Sequence, residues 1–201
     1  MSKPNGVFQY SLRSAYNAGL KDGGPPVSFI ASQGTHGIGC FEEEEESEMV
    51  QIDGKIYTID KDGDAEEADE DDTLPFVMST HFQAKSRVKA PPNTTSKKLK
   101  ELFESAKNTP TAFKLTGQFK YINSRQKTFW DVKGTIFGFS VPAWQASMSG
   151  EGLQCCFLSA SREQGGTVVD FETADCVLES TKCGRFHLTF PQDDEFDEMR
   201  L

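Results

Sequence analysis

Gly150-Glu-Gly-Leu-Gln-Cys-Cys-Phe-Leu-Ser159, followed by Gln164-Gly-Gly-Thr-Val168, is the stretch on which the reading of this chain turns. It reads as two strands joined by a polar turn. On a strand, residues two apart project from the same face, so Gln154 and Cys156 point the same way and Cys155 points the other. Such a pair facing a third residue on the neighbouring strand is a common frame for a three-ligand metal site. Here the three positions hold Gln154, Cys156 and Thr167. Zinc takes thiolate, imidazole or carboxylate donors, and an amide and a hydroxyl are weak substitutes. The pair therefore reads as the floor of a pocket, with no metal and no cofactor expected.

Outward from this stretch, the C-terminal half is almost wholly β in texture. Phe113, Leu115, Phe119 and Tyr121 alternate. Runs at 134–141, 153–160, 166–172, 176–180 and 185–190 follow, separated by polar turns. Short strands at such spacing predict an antiparallel, barrel-like half. The N-terminal half is mixed. Phe8, Leu12, Ala15 and Tyr16 fall at roughly helical spacing and predict a helix over 8–20, ended by Gly19 and the Gly23-Gly24-Pro25-Pro26 breaker. Strands are expected at 37–41, 48–52, 55–59 and 74–82, with Asp53-Gly54 as a two-residue hairpin signal. Thr95 or Ser96 can cap a helix to about Lys107, with Leu99, Leu102, Phe103 and Ala106 on its buried side. The expected class is α+β: a mixed-sheet half over 1–110 and an antiparallel β half over 111–201.

Composition narrows the function classes. A chain of 201 residues with 36% hydrophobic residues and 16 phenylalanines can bury a sizeable aromatic core. A formal charge of −10 argues against general affinity for nucleic acid or anionic membranes. No apolar run approaches the roughly 18 residues that span a bilayer. The opening Met-Ser-Lys-Pro-Asn-Gly has no apolar core of a signal peptide, so a cytoplasmic protein is expected. The five cysteines (Cys40, Cys155, Cys156, Cys176, Cys183) show no zinc-ribbon spacing and are expected as reduced, buried thiols.

Other motifs carry less. Glu42 to Glu46 reads as a solvated loop. Asp60 to Asp72 begins like a calcium loop, but its sixth position is Ala65 and its twelfth Asp71, so it reads as an acidic turn. Gly34, Gly37 and Gly39 lack the strand and helix of a phosphate loop and read as bends in a strand. His36, His81 and His187 are scattered, with no nucleophile elbow nearby.

Several stretches together resemble the α-acetolactate decarboxylase family. Val7-Phe-Gln-Tyr-Ser11 is similar to its N-terminal signature, and Gly37-Ile-Gly39 with Ser47-Glu-Met-Val50 to its Gly-Leu-Gly-Thr … Gly-Glu-Met segment. Asp53-Gly-Lys-Ile-Tyr57, Pro75-Phe76, Thr80-His81-Phe82, Lys133 to Pro142 and the opening stretch also match, in order. The resemblance implies a two-part α/β fold, often dimeric. It also implies a zinc ion held by a His-X-His strand and a following Gly-Gly-His, with a glutamate, an arginine and a second C-terminal glutamate.

This chain departs from that pattern where the chemistry sits. The histidine positions are Gln154, Cys156 and Thr167, and the threonine of Gly-Leu-Gly-Thr is Cys40. Glu48 is kept. Arg125 falls near the arginine position, but only nine residues before Gly134, so the Pro-rich loop of the family is missing. The chain ends before a tail that would carry the second glutamate. The expectation is a repurposed, metal-free pocket acting on an oxygenated small molecule by lyase, isomerase or cyclase chemistry. Glu48 and Arg125 are its candidate catalytic residues; Cys40, Gln154, Cys156 and Thr167 are its candidate substrate contacts. A non-catalytic small-molecule-binding relative and a genuine acetolactate decarboxylase with an altered metal site remain the alternatives. A homodimer is possible, and neither nucleic acid nor membrane is expected as partner.

Overall fold

The computed structural model describes residues 4–42, 47–103 and 108–201. Two sheets carry the fold. The first joins β1 (Gly6–Tyr10), β2 (His36–Cys40), β3 (Glu48–Ile52), β4 (Lys55–Ile59), β5 (Ala65–Glu67), β6 (Phe76–Thr80) and β12 (Arg185–Thr189). Their order is β12-β1-β6-β2-β3-β4-β5. It is mixed, because β1 pairs parallel to β12 and antiparallel to β6. The second sheet is antiparallel and joins β7 (Ser86–Lys89), β8 (Thr111–Ser124), β9 (Thr128–Val141), β10 (Gly152–Ser159) and β11 (Gly165–Lys182). Its order is β10-β9-β8-β11-β7, and an added β10–β11 pairing closes it into a ring. Mixed sheet and barrel-like antiparallel sheet are thus as the sequence predicts.

Side-chain alternation sorts residues among three cores. Ile38, Val50, Phe76 and Met78 of the first sheet pack against Phe137, Phe139, Cys156 and Leu158 of the ring. Phe113, Phe119, Phe157 and Phe171 fill the ring interior with Cys155 and Cys176, closed by Leu99 of α3 (Ser96–Phe103). On the far face of the first sheet, Phe8, Met49, Ile56 and Val77 meet Val27 and Ile30 of α2 (Val27–Gln33). Adjacent cysteines 155 and 156 therefore belong to different cores, as the period of two requires. All five cysteines are free and buried.

Asp53 and Gly54 turn β3 into β4 with φ of 54° and 88°. Positive φ at both positions is the turn that matches strand twist. Gly37 and Gly39 serve a different end from the expected bends. They lie inside β2, where an added Cβ would stand 2.6 Å from the Met78 carbonyl oxygen and 2.5 Å from that of Phe76. Glycine there permits the close approach of β6.

The structure corrects several local expectations. Residues 8–20 are not one helix: Phe8 sits in β1, and α1 spans only Arg13–Asn17. Backbone pairing on both sides of β1 outweighs the helical spacing of its apolar residues. Helix α2 had no periodic signal strong enough to find. In α3, Leu99 is buried but Leu102 is 56% exposed, and the expected helix end near Lys107 lies outside the described residues. The runs at 166–172 and 176–180 are one strand, β11, which continues through register shifts at Val168/Asp170, Glu172/Thr173 and Thr173/Asp175. The acidic turn contains β5, with Asp60 Oδ1 accepting the Asp62 and Asp64 N–H groups. Most of the acidic run 42–46 lies outside the described residues.

Each sheet also takes one strand from across residue 110. β7 joins the ring, and β12 returns to flank β1. Among the described residues, no helix is long and apolar enough to cross a membrane.

Candidate active site

Glu48 opens β3 directly opposite Cys40 at the end of β2, so one hairpin mouth presents both side chains together. Cys156 of β10 lies opposite Thr167 of β11, with 3.6 Å between Sγ and Oγ1. The two sheets meet at these pairs. The Thr167 backbone N–H donates to Glu48 Oε2, and the Thr167 carbonyl accepts the Arg125 N–H at 3.0 Å. One residue of the ring thereby fixes both the carboxylate of the first sheet and the turn after β8 that carries Arg125. The Arg125 guanidinium stands 3.9 Å from Glu48 Oε1. That ion pair is loose, and Arg125 is 55% exposed while Glu48 is 8% exposed. Screening leaves such a pair little stabilising value, so the arginine is free to engage another anion.

All six residues singled out from the sequence line one cavity of about 40 Å³: Glu48, Arg125, Cys40, Gln154, Cys156 and Thr167. It adjoins an outer cleft of about 280 Å³, and Cys40, Glu48 and Arg125 line both.

Sequence reasoning missed Arg13, Phe76 and Ser149, which also line the inner cavity. Arg13 lies on α1 with its guanidinium 5.3 Å from the Tyr16 ring centre and 5.2 Å from that of Phe76. Its Nη1 donates to Cys40 Sγ at 3.5 Å. The available signal was charge: Arg13 is the one ionisable cation between Phe8 and Leu20. Ser149, at the end of α4 (Ala146–Ser149), is held by a buried polar chain. Gln145 Nε2 donates to Ser149 Oγ at 2.8 Å, and Ser149 Oγ donates to Gln9 Oε1 at 2.6 Å. No sequence spacing announces that chain, because Gln9 and Ser149 are 140 positions apart.

The thiols in the cavity stay protonated. Burial pushes the Cys156 pKa well above its ordinary value, and the Glu48 carboxylate adds to the rise. Burial also raises that of Cys40, with the Arg13 charge opposing. Neither thiol is poised as a nucleophile.

Zinc does not fit this donor set. Cys156 is a single thiol held neutral beside the Thr167 hydroxyl. The Gln154 amide is turned to donate to the Glu151 carbonyl at 2.7 Å. Among the described residues, no group of three or more histidine, cysteine, aspartate or glutamate side chains is placed to hold a metal ion. The histidines sit elsewhere and line neither cavity nor cleft. His36 packs against Phe82 and Phe137, and His187 stacks on Phe8.

The arrangement has relatives. The family model for alpha-acetolactate decarboxylase matches residues 7–129 and 123–201. The alpha-acetolactate decarboxylase of Brevibacillus brevis is 29% identical over 221 residues, covering 98% of this chain and 77% of the relative. That of Bacillus subtilis is 26% identical, covering 97% and 85%. The solved acetolactate decarboxylase of Bacillus subtilis subspecies spizizenii superposes with a TM-score of 0.88 at 25% identity, covering 96% of this chain and 93% of that one. A Staphylococcus aureus protein of unknown function, described as similar to the same enzyme, shares the fold at a TM-score of 0.88 and 22% identity, covering 97% and 94%. With a family model spanning nearly its whole length, this chain belongs to the alpha-acetolactate decarboxylase family.

Proposed function

We propose that this pocket performs lyase-type chemistry on a small oxygenated carboxylic acid without a zinc ion, with Glu48 and Arg125 acting on the substrate. The supporting observation is the convergence of Glu48, Arg125 and Thr167 at one cavity, with the Glu48 carboxylate fixed by the Thr167 N–H. The relatives are decarboxylases of acetolactate, a 2-hydroxy-3-oxo acid. When carbon dioxide leaves such a molecule, the electron pair of the broken bond moves onto the neighbouring carbonyl as an enediolate. That charge needs fixed hydrogen-bond donors. Arg125, anchored at its backbone, supplies donors on one side. Glu48 accepts or holds the substrate's hydroxyl proton on the other. Cys40, Gln154, Cys156 and Thr167 form the floor and keep the reacting groups in place. Isomerisation or cyclisation of a related acid would draw on the same groups.

The test is purified protein with acetolactate, following release of carbon dioxide with and without a chelator. The expectation is turnover that the chelator leaves unchanged. Replacing the proton-handling Glu48 by Gln, or Arg125 by Ala, should each lower it by about 100-fold or more. A stoichiometric, chelator-sensitive zinc would sink the metal-free reading. The replacement of all three family histidine positions favours a second reading, a non-catalytic binder. Binding of such acids with no turnover of any would establish it.

A further inference from the structure

Arg13 is the one cation lining the inner cavity whose side chain is already held in place on three sides. Tyr16 and Phe76 flank its guanidinium at 5.3 and 5.2 Å, and Cys40 Sγ accepts from Nη1 at 3.5 Å. A guanidinium has five N–H donors in a planar fork that matches a carboxylate. Among the described residues only one is used, and on a weak acceptor. Among the described residues Arg13 has no carboxylate within ion-pair distance. Among the described residues, the inner cavity is lined by two guanidiniums, Arg13 and Arg125, against one carboxylate, Glu48. In a chain of formal charge −10, that is a local excess of positive charge among the described residues.

We propose that Arg13 is the oxyanion-recognising group of this pocket, selecting 2-hydroxy or 2-oxo carboxylic acids over their uncharged counterparts. The inference rests on the pocket reading above and adds to it the residue that sets substrate charge. The two aromatic faces hold the guanidinium without neutralising it, as cation–π contacts do. Its remaining N–H groups then serve the ligand, and little side-chain entropy is lost on binding. Arg125, more exposed and facing the outer cleft as well, is placed to meet the part of the ligand nearer solvent.

The test compares lactate with propane-1,2-diol, the uncharged molecule of the same carbon skeleton, by nuclear magnetic resonance titration of the full chain. The parent protein should prefer lactate. Arg13→Met keeps an unbranched stem between Tyr16 and Phe76 and removes the charge. Loss of a charge-assisted hydrogen-bonded pair should weaken lactate binding by about 10- to 100-fold and leave the diol unchanged. Arg13→Lys should recover part of the preference, which a purely structural role for Arg13 would not produce. If Arg13→Met folds and binds lactate as tightly as the parent, or if the parent does not distinguish the two molecules, the inference is overturned. The pocket reading fails separately. Arg13-dependent selectivity in a protein with no turnover would leave this inference standing and remove the lyase. Turnover abolished by Glu48→Gln with selectivity untouched by Arg13→Met would do the reverse.

Discussion

Glu48, at the start of a strand in the mixed sheet, accepts the backbone N–H of Thr167 in the closed ring, 119 positions along the chain. This hydrogen bond joins the two sheets at the cavity. It also satisfies a carboxylate whose side chain is 8% exposed, which burial without partners would penalise.

Its removal separates structure from chemistry. Glu48→Gln keeps a side-chain oxygen for the Thr167 N–H, so thermal unfolding should stay near that of the parent while turnover falls. Glu48→Leu leaves the N–H without its acceptor and should cost about 1–3 kcal/mol. Denaturant unfolding of the two variants checks this: equal destabilisation by both would show that the hydrogen bond is not what Glu48 contributes.

The buried thiols predict alkaline sensitivity. Burial pushes Cys155 and Cys176 up to about 12 and Cys183 up to about 11. A thiol whose folded pKa lies above its unfolded value favours the folded state below that unfolded value. The contribution is lost as pH rises through the folded pKa. Stability should therefore decline from about pH 9 toward pH 12. Below that window a thiol reagent should label the native protein slowly and all the cysteines rapidly in denaturant. Fast native labelling of Cys155 would contradict its place in the ring core.

His36 predicts a loss of stability in acid. Two forces oppose at its ring. Burial holds it neutral, helped by the Lys114 charge, while Asp53 Oδ1 lies 3.3 Å from Nε2 and favours protonation. Burial wins, bringing the pKa to about 4, because the Asp53 carboxylate is 64% exposed and screened by water. A folded pKa below the unfolded one gives stability that is present above about pH 6.5 and lost as pH falls toward 4. The size is up to about 3 kcal/mol. Acid unfolding of His36→Phe followed by circular dichroism should show a shallower loss over this window; an unchanged profile would assign the acid limb to other groups.

Phe157 is fully buried and meets Phe119 at 6.2 Å and Phe129 at 5.3 Å between ring centres. Phe157→Ala should open a cavity in the ring and destabilise by about 3–5 kcal/mol. Trp130, on the same ring but 73% exposed, should tolerate Ala with an effect within about 0.5 kcal/mol. Urea midpoints for the two variants test the contrast.

Much of the local structure was legible because its causes are local. Asp53-Gly54 specifies its own turn through backbone conformation. The alternation through Phe113, Leu115 and Phe119 places those side chains in one core, as strand geometry demands. Leu102 misled because helical spacing marks a face without saying how much of it a neighbour covers. Phe8 misled for the opposite reason: its place in β1 depends on Ser79 and His187, its partners on either side.

The sequence alone determined the α+β class, the turn from β3 to β4, the division of Cys155 and Cys156 between opposite faces, and a donor set at Gln154, Cys156 and Thr167 that zinc would not choose. These follow from residue chemistry and from periods of two, which act over a few positions. Only the tertiary structure decided that β7 and β12 exchange sheets, that Glu48 reaches Thr167, and that Arg13 joins Arg125 at one cavity. Each of those rests on pairing and burial between segments far apart in the chain, and no local pattern encodes which distant partner a strand edge or a side chain will meet.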